Sequence, residues 1–127
     1  MLDLIIKNGK CYIDGELKDV DIAIKDKKIH KIGQISEKAK EVIDANAHTV
    51  LPGCIDTQTH FREPGSTDTE DLHSGSRAAI AGGITSVFEM PNTNPPTSNK
   101  KEFQRKLDLA KNRMYCNYAF YFGATAD

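Results

Sequence analysis

Val50-Leu51-Pro52-Gly53-Cys54-Ile55-Asp56-Thr57-Gln58-Thr59-His60-Phe61-Arg62-Glu63-Pro64 passes from an apolar run into a polar one without a break. The apolar half has the length of a buried strand. Alternate residues of a strand share a face, so Asp56, Gln58 and His60 are expected to point one way, with Arg62 continuing the line past the strand end. A carboxylate, an amide, an imidazole and a guanidinium make a poor core and a good site.

Downstream, helix and strand patterns alternate. Thr67-Asp68-Thr69-Glu70 fits a capping box, and the spacing predicts a helix through Leu72, Gly75, Ala79 and Ile80, stopped by Gly82-Gly83. Ile84-Thr85-Ser86-Val87-Phe88-Glu89-Met90 is a β-branched run of strand length, followed by the turn-rich Pro91-Asn92-Thr93-Asn94-Pro95-Pro96-Thr97. Ser98 or Asn99 is placed to cap a second helix, Asn99 having Glu102 three residues on, with Phe103, Leu107 and Ala110 as the apolar stripe. Lys100, Lys101, Arg105 and Lys106 are expected on its solvated face. Tyr115 to Phe122 predicts a third strand, running into Gly123-Ala124-Thr125-Ala126-Asp127. Strand, helix, strand, helix, strand implies right-handed βαβ units and a parallel sheet, whose chemistry sits at the C-terminal strand ends. His60, Arg62 and Asn92 all fall there.

Upstream, residues 1–52 read as short strands. Leu2, Leu4 and Ile6, then Val20, Ile22 and Ile24, alternate with their neighbours, and Asn8-Gly9, Asp14-Gly15 and Asp26-Lys27 are turn signals. Val42-Ile43-Asp44 and Thr49-Val50-Leu51 add two more strand candidates. The segment is expected to form a small antiparallel sheet or sandwich. The organisation is therefore a β-segment over 1–52 and an α/β segment over 53–127.

The 127 residues carry 17 Lys+Arg against 18 Asp+Glu, a formal charge of -1, which offers no electrostatic reason to bind nucleic acid or an anionic membrane. No apolar run approaches the roughly 20 residues of a membrane span. Three cysteines without a CxxC motif point to a reducing, cytoplasmic setting.

Ile55-Asp56-Thr57-Gln58-Thr59-His60-Phe61-Arg62-Glu63-Pro64-Gly65, Gly82-Gly83-Ile84-Thr85 and Met90-Pro91-Asn92-Thr93 together resemble the dihydroorotases, cyclic amidohydrolases of the amidohydrolase superfamily. The resemblance covers essentially the whole chain. It implies the N-terminal part of a metal-dependent, TIM-like (β/α)8 barrel, preceded by part of a small β-sandwich. It implies a zinc enzyme, with one or two ions, that interconverts L-dihydroorotate and N-carbamoyl-L-aspartate in pyrimidine synthesis. His60 maps onto the second His of the family's zinc-binding His-x-His pair. Arg62 and Asn92 map onto the residues that hold the substrate carboxylate. Gln58 stands where the first His of that pair is found; a neutral amide oxygen is a weaker zinc ligand, which tells against a two-metal centre. Asp56 is expected to orient neighbouring side chains from behind the metal ligands. The remaining ligands and the general base are expected beyond Asp127, so the chain by itself is expected to be inactive.

Plainer readings exist for each residue. A lone His can cap a strand end. Arg62 can pair with Glu63, Glu70 or Asp71. Pro-Asn is a common turn former. Competing functions are another cyclic amidohydrolase of the allantoinase or dihydropyrimidinase type, or a non-catalytic partner of aspartate transcarbamoylase; a homodimer is a further partner expectation. Allantoin and hydantoins lack a carboxylate where dihydroorotate carries one, so Arg62 with Asn92 favours dihydroorotate.

Overall fold

The computed structural model describes residues 1–125. Ala126 and Asp127, the end of the expected terminal loop, lie outside the described residues. The chain divides into two compact units, Met1–Pro52 and the residues from Gly53 onward.

The first unit contains β1 (Leu2–Lys7), β2 (Lys10–Ile13), β3 (Glu16–Asp19), β4 (Asp21–Lys25), β5 (Lys28–Gly33), β6 (Ala39–Asp44) and β7 (Thr49–Val50). They form a four-stranded sheet in the order β5-β4-β1-β6 and a three-stranded sheet in the order β3-β2-β7. Two hairpins close on residues with positive φ, Asp14 (53°) with Gly15 (86°) and Asp26 (52°) with Lys27 (62°). That geometry matches the twist of antiparallel strands.

The sheets are not purely antiparallel, as the sequence suggested. β6 pairs parallel with β1, and β7 pairs parallel with β2. Parallel pairing needs a crossover instead of a tight turn. The excursion through β2 to β5 supplies one for β6, and the further run through β6 supplies one for β7. Leu2, Ile5, Ala23 and Ile35 form the small buried core of this unit.

The second unit contains β8 (Cys54–Thr59), α1 (Leu72–Ala81), β9 (Ile84–Glu89), α2 (Lys100–Ala110) and β10 (Asn117–Phe120). The strands form a parallel sheet in the order β10-β9-β8. Its core joins Phe61, Leu72, Ala79, Val87, Ala110 and Cys116. β10 is shorter than the sequence suggested, because the Tyr115 amide turns to donate to Ser76 Oγ of α1 (3.2 Å) and leaves the ladder.

Helix α1 begins four residues later than Thr67-Asp68-Thr69-Glu70 predicts. Its N-cap is Asp71, in a capping box with Ser74, and residues 67–69 form a turn. The cause is long-range: the buried Glu63 carboxylate accepts from the Leu72 amide (2.9 Å) and fixes where the helix starts. The buried face is Leu72, Gly75, Ser76 and Ala79, while Ile80 points outward. Gly75 has no room for a side chain, because a Cβ there would overlap the Phe61 ring.

The Asp71 cap gives a testable pH dependence. The Ser74 amide, with the Ser74 hydroxyl, holds the Asp71 carboxyl below the ordinary aspartate range. A depressed folded pKa contributes stability above the unfolded value of about 3.9, lost as pH falls through the lower folded value. Asp71→Ala is expected to cost about 1 kcal/mol at neutral pH. Asp71→Asn keeps the acceptor and removes that part of the acid dependence. Urea midpoints of the three proteins, taken from neutral pH downward, test both statements.

Helix α2 starts on Asn99, whose side chain accepts from the Glu102 amide (2.9 Å). Phe103 and Leu107 are half-buried and Ala110 is fully buried. Lys106 is not on a solvated face: it is completely buried, 0% exposed. It belongs to the i, i+3, i+4, i+7 stripe formed with Phe103, Leu107 and Ala110. No helix among the described residues is long and apolar enough to cross a membrane.

Candidate active site

The C-terminal ends of β8 and β9 converge through a set of short contacts. The Met90 amide donates to the Thr59 carbonyl (2.9 Å), and the Asn94 amide donates to the Pro64 carbonyl (3.0 Å). Gly65, at φ 124°, lies against Asn94 too closely for a side chain to fit between them. The two strand-end loops are thereby zipped together.

His60 and Asn92, 32 residues apart in sequence, meet here: His60 Nδ1–H donates to Asn92 Oδ1 (2.9 Å). This leaves the imidazole Nε2 with its lone pair and the Asn92 amide group with its two donors. A histidine held through one ring nitrogen presents the other as a metal ligand, the arrangement in which an outer partner fixes the tautomer.

Arg62 follows in the left-handed region, at φ 58°. That conformation is rare for a residue with a Cβ, and observed strain of this kind clusters at functional sites. The Arg62 carbonyl accepts from the Ser66 amide (2.9 Å), which closes the turn. Its side chain is exposed, and its guanidinium has no hydrogen-bond or ion-pair partner among the described residues.

The acids that could have neutralised Arg62 are otherwise engaged or unpaired. Glu63 is buried and takes the Arg113 guanidinium on both oxygens (2.8 and 3.1 Å), and Asp71 also lies by Arg113 (3.6 Å). Bonding to Glu63 raises the Arg113 pKa further. Glu70 forms no ion pair with Arg62.

Gln58 is exposed and Asp56 half-buried. Asp56 Oδ1 accepts from the Gln58 amide (2.9 Å), a local bond that shapes the strand. The pairing of β8 with β9 is irregular. Asp56 pairs with Val87 and Thr59 with Glu89, so three steps along β8 match two along β9. The extra residue is a bulge in β8, and Thr59 at its end is buried, its hydroxyl donating to the Phe88 carbonyl (3.3 Å).

Beneath the loops lies a charged pair that the sequence reading missed. Glu89, 1% exposed, and Lys106 form an ion pair inside the unit. Glu89 Oε1 accepts from the Phe61 amide (3.1 Å), while Oε2 meets the Lys106 ammonium without the alignment of a hydrogen bond. Lys106 Nζ donates to the Met90 carbonyl (3.0 Å) and lies 5.2 Å from the centre of the Phe120 ring. Burial pushes the Glu89 carboxyl above its ordinary value, and the Lys106 ammonium pulls the other way. A signal was present in the sequence: Glu89 shares strand parity with the core residue Val87, and Lys106 falls within the apolar stripe of α2.

Among the described residues, no group of three or more His, Cys, Asp or Glu is arranged to hold a metal ion. What the site offers such an ion is one imidazole nitrogen, that of His60, which is a fit to a single ligand position.

Comparison with known proteins completes the picture. The amidohydrolase family model matches residues 49–126. An allantoinase of Escherichia coli O81 (strain ED1a) is 46% identical over 88% of this chain and 25% of its own length. A dihydroorotase of Methanosarcina mazei is 40% identical over 100% of this chain and 28% of its own. The solved L-hydantoinase (dihydropyrimidinase) from Arthrobacter aurescens superposes with a TM-score of 0.87 and 31% identity, over 99% of this chain and 29% of that one. The chain thus spans about a quarter of the length of the curated relatives it matches. The family is generally metal-dependent. Matched by the family model over more than half its length, the chain belongs to the amidohydrolase family.

Proposed function

We propose that these residues form part of the active site of a cyclic amidohydrolase acting on L-dihydroorotate. The reaction adds water across the ring amide: hydroxyl to the carbonyl carbon and a proton to the departing nitrogen, giving N-carbamoyl-L-aspartate. The observation that carries the reading is Arg62, an exposed guanidinium at the strand-end mouth with no acid of the described residues to neutralise it.

Guanidinium and carboxylate match as two parallel hydrogen bonds. Asn92, with its oxygen committed to His60, keeps its amide protons for the same carboxylate or for the ring. The family's metal, when bound, supplies polarisation of the amide carbonyl and a nucleophilic water at neutral pH. His60 would hold it through Nε2. Gln58 is the weaker candidate ligand beside it, and Asp56 shapes the strand that carries both. In this reading the general base and the other metal ligands are supplied by residues outside this chain.

Allantoin is the second reading, supported by the higher identity to the allantoinase, 46% against 40% for the dihydroorotase. The full-length protein, assayed on dihydroorotate, allantoin and hydantoin, decides between them. Turnover of dihydroorotate above the other two is expected. Turnover of allantoin or hydantoin without dihydroorotate would sink the first reading.

A further inference from the structure

We propose that the buried Glu89–Lys106 pair is the positioning device of the site, holding the His60–Arg62 segment at a fixed separation from Asn92. Glu89 sits under the first loop, where its carboxylate takes the Phe61 amide, between His60 and Arg62. Lys106 sits under the second, where its ammonium takes the Met90 carbonyl, two residues before Asn92. The ion pair joins the two anchors. Any change in its length moves the substrate-binding side chains of one loop against those of the other. The inference rests on the reading of Arg62 and Asn92 as substrate contacts.

The chemistry of the pair supports a positioning role over simple space-filling. Burying two charges is costly, and an apolar pair of similar volume serves stability as well or better. An apolar pair, however, would leave a buried amide donor and a carbonyl without partners. A carboxylate can only accept and an ammonium can only donate. The two ends therefore suit the two backbone groups they hold, one of each kind.

The test uses the full-length protein and three variants. Lys106→Met leaves the Glu89 carboxylate buried and uncompensated and is expected to lower the melting temperature sharply. Glu89→Gln with Lys106→Met removes both charges and is expected to restore most of that melting temperature. Its kcat/KM is nevertheless expected to stay about 10- to 100-fold down, with KM carrying the larger share, because small displacements of positioning groups are that expensive. Amide exchange in segments 59–63 and 89–93 is expected to quicken in the double variant. Glu89→Asp, which keeps the charge but withdraws the carboxylate by one methylene, is expected to show the same kinetic pattern more weakly, and it serves if the double variant does not fold.

Wild-type kinetics and wild-type exchange in the double variant, or in Glu89→Asp, would overturn the proposal and leave the pair as core filling. The substrate used is whichever cyclic amide the wild type turns over. A preference for allantoin or hydantoin would overturn the dihydroorotate reading, while the exchange measurement would still decide the role of the pair.

Discussion

Glu63→Leu is expected to destabilise the protein by about 3 kcal/mol, the lower end of the cost of stripping one partner from a buried ion pair. The lower end applies because the Arg113 side chain keeps 35% of its surface exposed and can be rescued in part by water and by Asp71 at 3.6 Å. The loss has two components. Arg113 loses a bidentate carboxylate, and the Leu72 amide at the first turn of α1 loses its acceptor. Glu63→Gln keeps an oxygen for the Leu72 amide but gives up the charge, so about half the loss is expected, in the range of a charge-assisted hydrogen bond at about 1.5–3 kcal/mol. Urea unfolding of the wild type and both variants reads the series. A Glu63→Leu midpoint within experimental error of wild type would show that the pair contributes nothing to the fold.

The same residue explains where local pattern reading stops. The sequence pattern places a capping box at Thr67, whereas α1 is capped by Asp71 with Ser74, a pair that lacks the Glu or Gln of the usual motif. The choice is made by a carboxylate nine residues upstream of Leu72, itself held by an arginine 50 residues downstream of it. Lys106 shows a similar gap. On composition a lysine beside Lys100, Lys101 and Arg105 belongs to water, and only a partner on another element, Glu89, allows it inside. Charged residues are read as exposed by default because burial without a partner is prohibitive. The partner is a tertiary fact.

What local chemistry controls was legible. Asn99 caps α2, Gly82 stops α1, and Asp14-Gly15 turns a hairpin, each through groups within a few residues. The βαβ order was legible because two-residue and 3.6-residue periods alternate cleanly. That order placed His60 and Asn92 at one mouth, and they do form a hydrogen bond. The irregular pairing inside β8 was not legible. It depends on how Asp56 to Thr59 runs beside Val87 to Glu89, and no composition of a single strand encodes a neighbour's register.

Arg62 carries the largest expected effect on activity. Arg62→Ala is expected to lower kcat/KM for dihydroorotate by about 100-fold or more, since losing a bidentate charged contact costs about 3 kcal/mol and each 1.4 kcal/mol is tenfold. Arg62→Lys is expected to recover little of it, because an ammonium cannot reproduce the planar fork. Two features of the chain make this a sharp test. The guanidinium has no structural partner among the described residues, so its removal leaves no buried charge behind and the fold is expected to hold. The left-handed φ of 58° at this position is already unfavourable for arginine, so alanine adds no new backbone cost. A ring substrate without a carboxylate supplies the control. If the full-length protein also turns over hydantoin, that activity is expected to change by less than about threefold, because the lost contact is uniform binding to a group that substrate lacks. Equal losses on both substrates would mean that Arg62 shapes the loop instead of holding the carboxylate, and the case for dihydroorotate would lose its main support.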